Sequence, residues 1–78
     1  MGGLKMKLKD AKVGSTVRID SIDESPMKQR LMSMGLIPNT RVEILRSAPF
    51  GDPIAIRLRA YNLALRQDDA AKISVTAI

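Results

Sequence analysis

Apolar and polar positions change rhythm along this chain, and each rhythm predicts an element. From Thr16 to Asp20 they alternate, with Val17 and Ile19 apolar between Thr16, Arg18 and Asp20. A period of two marks a half-buried strand, launched here by a turn at Gly14 after Leu8, Ala11 and Val13. The rhythm then lengthens. Ser25 followed by Pro26 is the pairing for a helix cap and first helical residue, because Ser accepts a bond from an orphan N–H and Pro has none to lose. At about 100° per residue, Met27, Leu31 and Met34 share one face, while Lys28, Gln29, Arg30 and Ser33 lie around the rest and Met32 falls outside the apolar stripe. The helix is predicted from Pro26 to about Met34 and ends at Gly35, which is free to turn left-handed. Ile37-Pro38-Asn39-Thr40 fits a type II turn, Pro fixing φ at the second position and Asn tolerating positive φ at the third.

Alternation returns at Arg41–Ile44 and at Ile54–Arg59, where Ile54, Ile56 and Leu58 face inward; Pro49, Gly51 and Pro53 shape the loop between. Leu63–Leu65 and Ile73–Val75 are two shorter strands, separated by Gln67–Lys72, which has the composition of one helical turn. About five short strands with one helix predict a mainly β fold, a small antiparallel barrel that limits exposed edges. Residues 1–78 read as a single domain, with 1–7 a flexible segment or a first edge strand.

Composition narrows what such a barrel can do. Seventy-eight residues leave no room for a deep substrate cleft. Hydrophobic residues are 45% of the chain and charged residues 27%, which is a globular balance. Phe50 and Tyr61 are the only aromatics, so the core is aliphatic. Cysteine is absent, so packing alone must stabilise the fold, without disulfides or thiolate-bound zinc. The opening Met1–Lys9 alternates lysine with apolar residues and builds no signal-peptide core. Met6 stands where myristoylation wants Ser or Thr, and no apolar run approaches membrane-spanning length. A cytoplasmic protein without membrane insertion is the expectation.

Chemistry is thin. With no His and no Cys, the usual nucleophilic triads are excluded, and no catalytic residue is assigned. Asp23-Glu24 and Asp68-Asp69 are adjacent pairs beside turn or helix signals, where acids cap and solvate. Nothing resembles a calcium loop, and an iron site would lack imidazole and thiolate, so neither a metal site nor a cofactor is predicted. A weak metal site at an oligomer interface, and a weak homo-oligomer itself, stay open. No glycine-rich phosphate loop is present. The net charge of +5 favours acidic partners. Two aromatics make a thin stacking platform, so nucleic acid is not favoured, but a basic nucleic-acid-binding barrel using Lys5, Lys7, Lys9, Lys12, Arg57, Arg59 and Arg66 is the main rival.

What survives is a contact surface. Met27, Leu31 and Met34 plug the barrel, while Met32 beside Arg30 and Lys28 is a candidate docking spot, since a flexible polarizable side chain off the core face suits an adaptable contact. Phe50 and Asp52 on the hairpin are the second candidates. Ser25, Gly35, Pro38, Asn39, Gly51 and Pro53 are assigned to caps and turns.

The order Leu8, Gly14, Arg30-Leu31, Met34-Gly35-Leu36, Pro38, then Pro49 with Gly51-Asp52-Pro53-Ile54, then Leu63-Ala64-Leu65-Arg66 with Ala70-Ala71, resembles the FeoA family of small ferrous iron transport proteins over nearly the whole chain. The resemblance implies a Src-homology-3-like barrel with an inserted helix. It also implies a non-enzymatic accessory of a membrane ferrous iron transporter whose cytoplasmic part is a GTPase domain. The chain departs from the family's pattern at Asn39, where a glycine usually follows the proline, and at Ala60, where a glycine often turns one strand into the next. Alanine costs more there if φ is positive. A related barrel ends the iron-dependent repressors, so an iron-repressor-like regulatory module is a further alternative, although no DNA-reading domain precedes it here.

Overall fold

The alternating apolar positions of every predicted strand meet in one core. The computed structural model describes residues 3–59 and 61–78. Strand β1 (Lys5–Lys7) leads through a single 3-10 turn (Leu8–Asp10) to β2 (Thr16–Ile22), helix α1 (Lys28–Ser33), β3 (Arg41–Ser47), a second 3-10 turn (Pro49–Gly51), β4 (Ile54–Leu58), β5 (Tyr61–Leu65), helix α2 (Gln67–Ala70) and β6 (Ile73–Ala77). All pairs are antiparallel, in one six-stranded sheet ordered β1-β6-β2-β3-β4-β5. The last strand therefore lies inside the sheet, between β1 and β2.

The inward positions are the expected ones: Val17 and Ile19 from β2, Val42 and Ile44 from β3, Ile54, Ile56 and Leu58 from β4, and Ile73 and Val75 from β6 are buried in a single aliphatic cluster with Leu8, Leu31, Leu36 and Leu65. One sheet whose strands all turn their apolar side toward the same cluster must wrap around it. Bulges after Ile19 in β2 and after Ile44 in β3 let those strands bend.

Several expectations shift. Among the described residues there are six strands, because Lys5–Lys7, in the segment read as flexible or as a first edge strand, pairs with β6 at the edge of the sheet. The helix spans Lys28–Ser33, shorter than the predicted Pro26–Met34, with Pro26 and Met27 forming its lead-in turn. Ser25, expected as the cap, lies two residues before the capping position, Met27, which has no side-chain cap bond; the Ser25 Oγ accepts the Met27 N–H at 3.2 Å within the lead-in turn. Val13, expected among the apolar lead-in residues, is 57% exposed, whereas Leu8 is fully buried. Ala60 lies outside the described residues; its neighbour Arg59 has φ +40°.

The helix exit is the best-determined corner. The Gly35 N–H donates to Met32 O at 3.0 Å and the Leu36 N–H to Leu31 O at 3.2 Å, which is the Schellman pattern. Gly35 has φ +100°, and Leu36 and Leu31, the apolar pair of that motif, are both fully buried. Next, Asn39 at φ +74° with Thr40 N–H donating to Ile37 O completes the predicted type II turn. Reciprocal bonds, Asn39 N–H to Ile19 O at 2.7 Å and Ile19 N–H to Thr40 O at 2.9 Å, splice this turn to β2. The Tyr61 hydroxyl donates to Met34 O, satisfying one of the carbonyls the helix leaves open. A Cβ on Gly35 would lie 2.5 Å from that hydroxyl.

Gly35→Ala is accordingly expected to destabilise by about 1–3 kcal/mol, from left-handed strain together with the collision. Combined with Tyr61→Phe, the collision disappears, since the next atoms stand 3.7 Å away. Urea denaturation should then show the double mutant more stable than the sum of the two single effects predicts. Strict additivity would refute this account of the corner.

Candidate functional site

Helix α1 lies across from the end of β5 and from α2, and an open groove of about 550 Å³ separates them. Met27, Arg30 and Met34 form one wall; Ala64, Leu65, Arg66, Asp68, Asp69 and Lys72 form the other. Met27 and Met34, half-buried against the core, give their wall an apolar stretch, while charged side chains make up most of the remaining lining. Lys72 Nζ stands 3.9 Å from Asp69 and donates to the backbone carbonyl of Asp68, whose carboxylate makes no ion pair among the described residues. Arg30 and Arg66 make no ion pair among the described residues.

The β3–β4 loop adjoins the far side of α2. Asp52 Oδ1 accepts the Gln67 N–H at 3.2 Å, and so supplies from outside the cap that Arg66, in the capping position, does not provide. Within the loop, Ala48 N–H donates to Pro53 O at 3.0 Å and Gly51 N–H to Ala48 O at 2.8 Å; the Asp52–Pro53 peptide is cis. Phe50 sits at the tip, completely exposed and at φ +70°. A bulky side chain in the left-handed region is costly, and this one contributes no burial in return.

Of the residues singled out in sequence, the structure brings Arg30 to the groove and sets Phe50 and Asp52 on the loop beside α2. Lys28 is not among the groove's lining residues; its Nζ is held by Glu24 one turn back, at 2.5 Å. Met32, placed outside the apolar stripe by the helical wheel, is half-buried and packs against the core, as a long flexible side chain on a six-residue helix can. Arg66 enters the sequence reading only among the cations of the nucleic-acid rival and, with Ala64, in the family pattern; neither is read there as a partner contact. Their sequence signal was the uncharged run Tyr61–Leu65 between Arg59 and Arg66.

Of the cations of the nucleic-acid reading, Lys7 pairs with Asp23 at 3.1 Å, Lys9 with Asp10 at 3.2 Å and Arg57 with Glu43 at 3.3 Å, while Lys5, Lys12, Arg59 and Arg66 make no ion pair among the described residues. Among the described residues no three acidic, His or Cys side chains gather as metal ligands. None of their helices is long and apolar enough to cross a membrane.

The loop geometry yields a stability prediction. Phe50→Gly removes left-handed strain and no buried surface, so it should leave stability unchanged or raise it by up to about 1 kcal/mol in urea denaturation. A clear loss of stability would mean that the ring packs in solution.

Residues 6–77 match the family model described as FeoA domain. Over 74 residues the chain is 31% identical to an Fe(2+) transport protein A/Fe(2+) transporter FeoB fusion protein of Porphyromonas gingivalis; that stretch is 94% of this chain and 9% of that protein. Among solved structures, an FeoA-like protein from Clostridium acetobutylicum superposes with a TM-score of 0.89 at 37% identity, over 95% of this chain and 87% of that one. FeoA of Stenotrophomonas maltophilia, described as a procaryotic SH3 domain protein and complexed with zinc, superposes with a TM-score of 0.80 over 90% of this chain and 88% of that one. At 20% identity this last likeness speaks for the SH3-like fold alone.

Proposed function

Because the chain belongs to the FeoA domain family, we propose that it is a non-enzymatic accessory of ferrous iron uptake, working at the cytoplasmic face of a membrane ferrous iron transporter. In this reading it docks on the transporter's GTPase-containing region and modulates its assembly or activity. The observation that carries the reading is the relative in which an FeoA part and an FeoB transporter share one polypeptide. A covalent link keeps two modules at high effective concentration, which is useful when the unlinked modules must also meet.

Two features of the chain support docking over catalysis. Its groove sets two half-buried methionines among charged side chains, and its one fully exposed aromatic is held out on a fastened loop. Rigid presentation lowers the ordering cost of binding, and a projecting aromatic is the usual kind of anchor. Such a module acts on its partner only through differential affinity: it shifts the transporter toward whichever state it binds more tightly. Arg30, Phe50 and Asp52 are the proposed contacts nearest α2, with Lys28 and Met32 on the remaining faces of α1.

The test is binding of the purified chain to its cognate full-length transporter in nanodiscs. Phe50→Gly, which should fold at least as well as the parent, is expected to weaken binding by about thirtyfold, the ~2 kcal/mol of an interface hot spot. If the parent chain neither binds the transporter nor changes its GTP hydrolysis or iron uptake, the proposal fails.

A further inference from the structure

The two edges of the sheet are built differently. β1 is three residues long and carries Lys5 and Lys7, the short, lysine-bearing edge that discourages further strand pairing. β5, at the other edge, is five residues long and contains no charge, proline or glycine: Tyr61, Asn62, Leu63, Ala64 and Leu65. Among the described residues it pairs with β4 alone. Its free side opens at Ala64 and Leu65 onto the groove whose far wall is α1.

Backbone groups are therefore on offer along this edge. Only two residues separate Leu58 from Tyr61, which face each other in the ladder. In a two-residue hairpin the closing pair exchanges both ladder bonds, and the alternation of an antiparallel pair then turns the N–H and C=O of Asn62 and Ala64 away from β4. Asn62 and Ala64 are exposed. Arginines bracket the strand, Arg59 before it and Arg66 after it, and Arg30 faces Arg66 across the groove; none of the three has an ion-pair partner among the described residues.

We infer that β5 is a docking edge on which an extended, acidic segment of the partner adds as a seventh strand, lying between β5 and α1. The balance of charge selects the occupant: the groove carries Arg30, Arg66 and Lys72 against Asp68 and Asp69, and Arg59 stands at the other end of the strand. A second copy of this chain would bring its own uncharged strand and the same cations against these, whereas a strand with acidic residues toward its ends meets complementary charge. Ladder bonds supply affinity; apolar side chains of the incoming strand contact Met27 and Met34.

This inference rests on the reading that the chain binds the transporter, and the experiment separates the two. Hydrogen–deuterium exchange is measured on the full chain alone and with its cognate full-length transporter. The Asn62 and Ala64 amides are expected to slow at least about tenfold in the complex, as added ladder bonds require. Ala64→Pro, whose missing N–H falls on the free edge, should keep the fold and weaken binding at least about tenfold. Ala64→Lys is the second variant should proline disturb the hairpin, and Arg30→Glu with Arg66→Glu should weaken binding further at low salt than at high. Binding that leaves both amides unprotected and is indifferent to Ala64→Lys overturns the inference alone. Absence of binding overturns both readings. Protection of the same amides by self-association of the free chain assigns the edge to a second copy and overturns the acidic segment.

Discussion

The joint burial of Leu31 and Leu36 is the constraint on which this fold turns. A helix of six residues cannot persist on its own, since isolated helices need roughly 12–15 residues even to be marginal in water. Packing must hold α1 in place, and it does so through two leucines that lie on opposite sides of a chain reversal yet enter the same core. Gly35 makes the reversal, and the bond from Leu36 N–H to Leu31 O closes it. From that corner the turn at Asn39 is delivered to Ile19 on β2, which sets where β3 begins, and the Tyr61 hydroxyl reaches back to Met34 to seat the start of β5. The groove inherits its width from this arrangement, because α1 forms one wall and the end of β5 the other.

Much of the strand pattern was legible because alternation over five or more residues leaves few other readings. Val17 and Ile19, Val42 and Ile44, and Ile54, Ile56 and Leu58 are the buried residues their spacing promised. β1 was left between a flexible segment and an edge strand, because three paired residues are short, and Leu36 was hidden by its place just past a glycine, where neither the helical nor the strand period applies. Its signal was of another kind: the five-residue offset from Leu31 that a Schellman motif brings into contact. Met32 shows the limit of a helical wheel on a short helix, where the side chain's own reach decides what it covers.

The groove was less legible than the fold, for a physical reason. It is assembled from α1, the end of β5 and α2, and no local pattern records which of these segments face each other. Arg30 could be picked out as a cation beside an apolar stripe, and Phe50 as an aromatic between Pro49 and Gly51, because each breaks its local rule. Ala64 and Arg66 break none. Asp52 was visible as a loop acid, but its bond to Gln67, which fastens loop to helix, depends on tertiary placement.

The strand order has a further consequence, in time rather than in space. β6 is the last strand to be made, yet it lies between β1 and β2 and contributes Ile73 and Val75 to the shared core. The meander from β2 through β5 pairs consecutive strands, but β1 has no partner until β6 arrives some 70 residues later to pair Lys5 with Thr76. Contacts so distant in sequence carry the largest loop-closure cost and are slow to form. The core around Val17 and Ile19 is therefore complete only when β6 enters between β1 and β2, so closure of the shell depends on the most distant pairing in the chain.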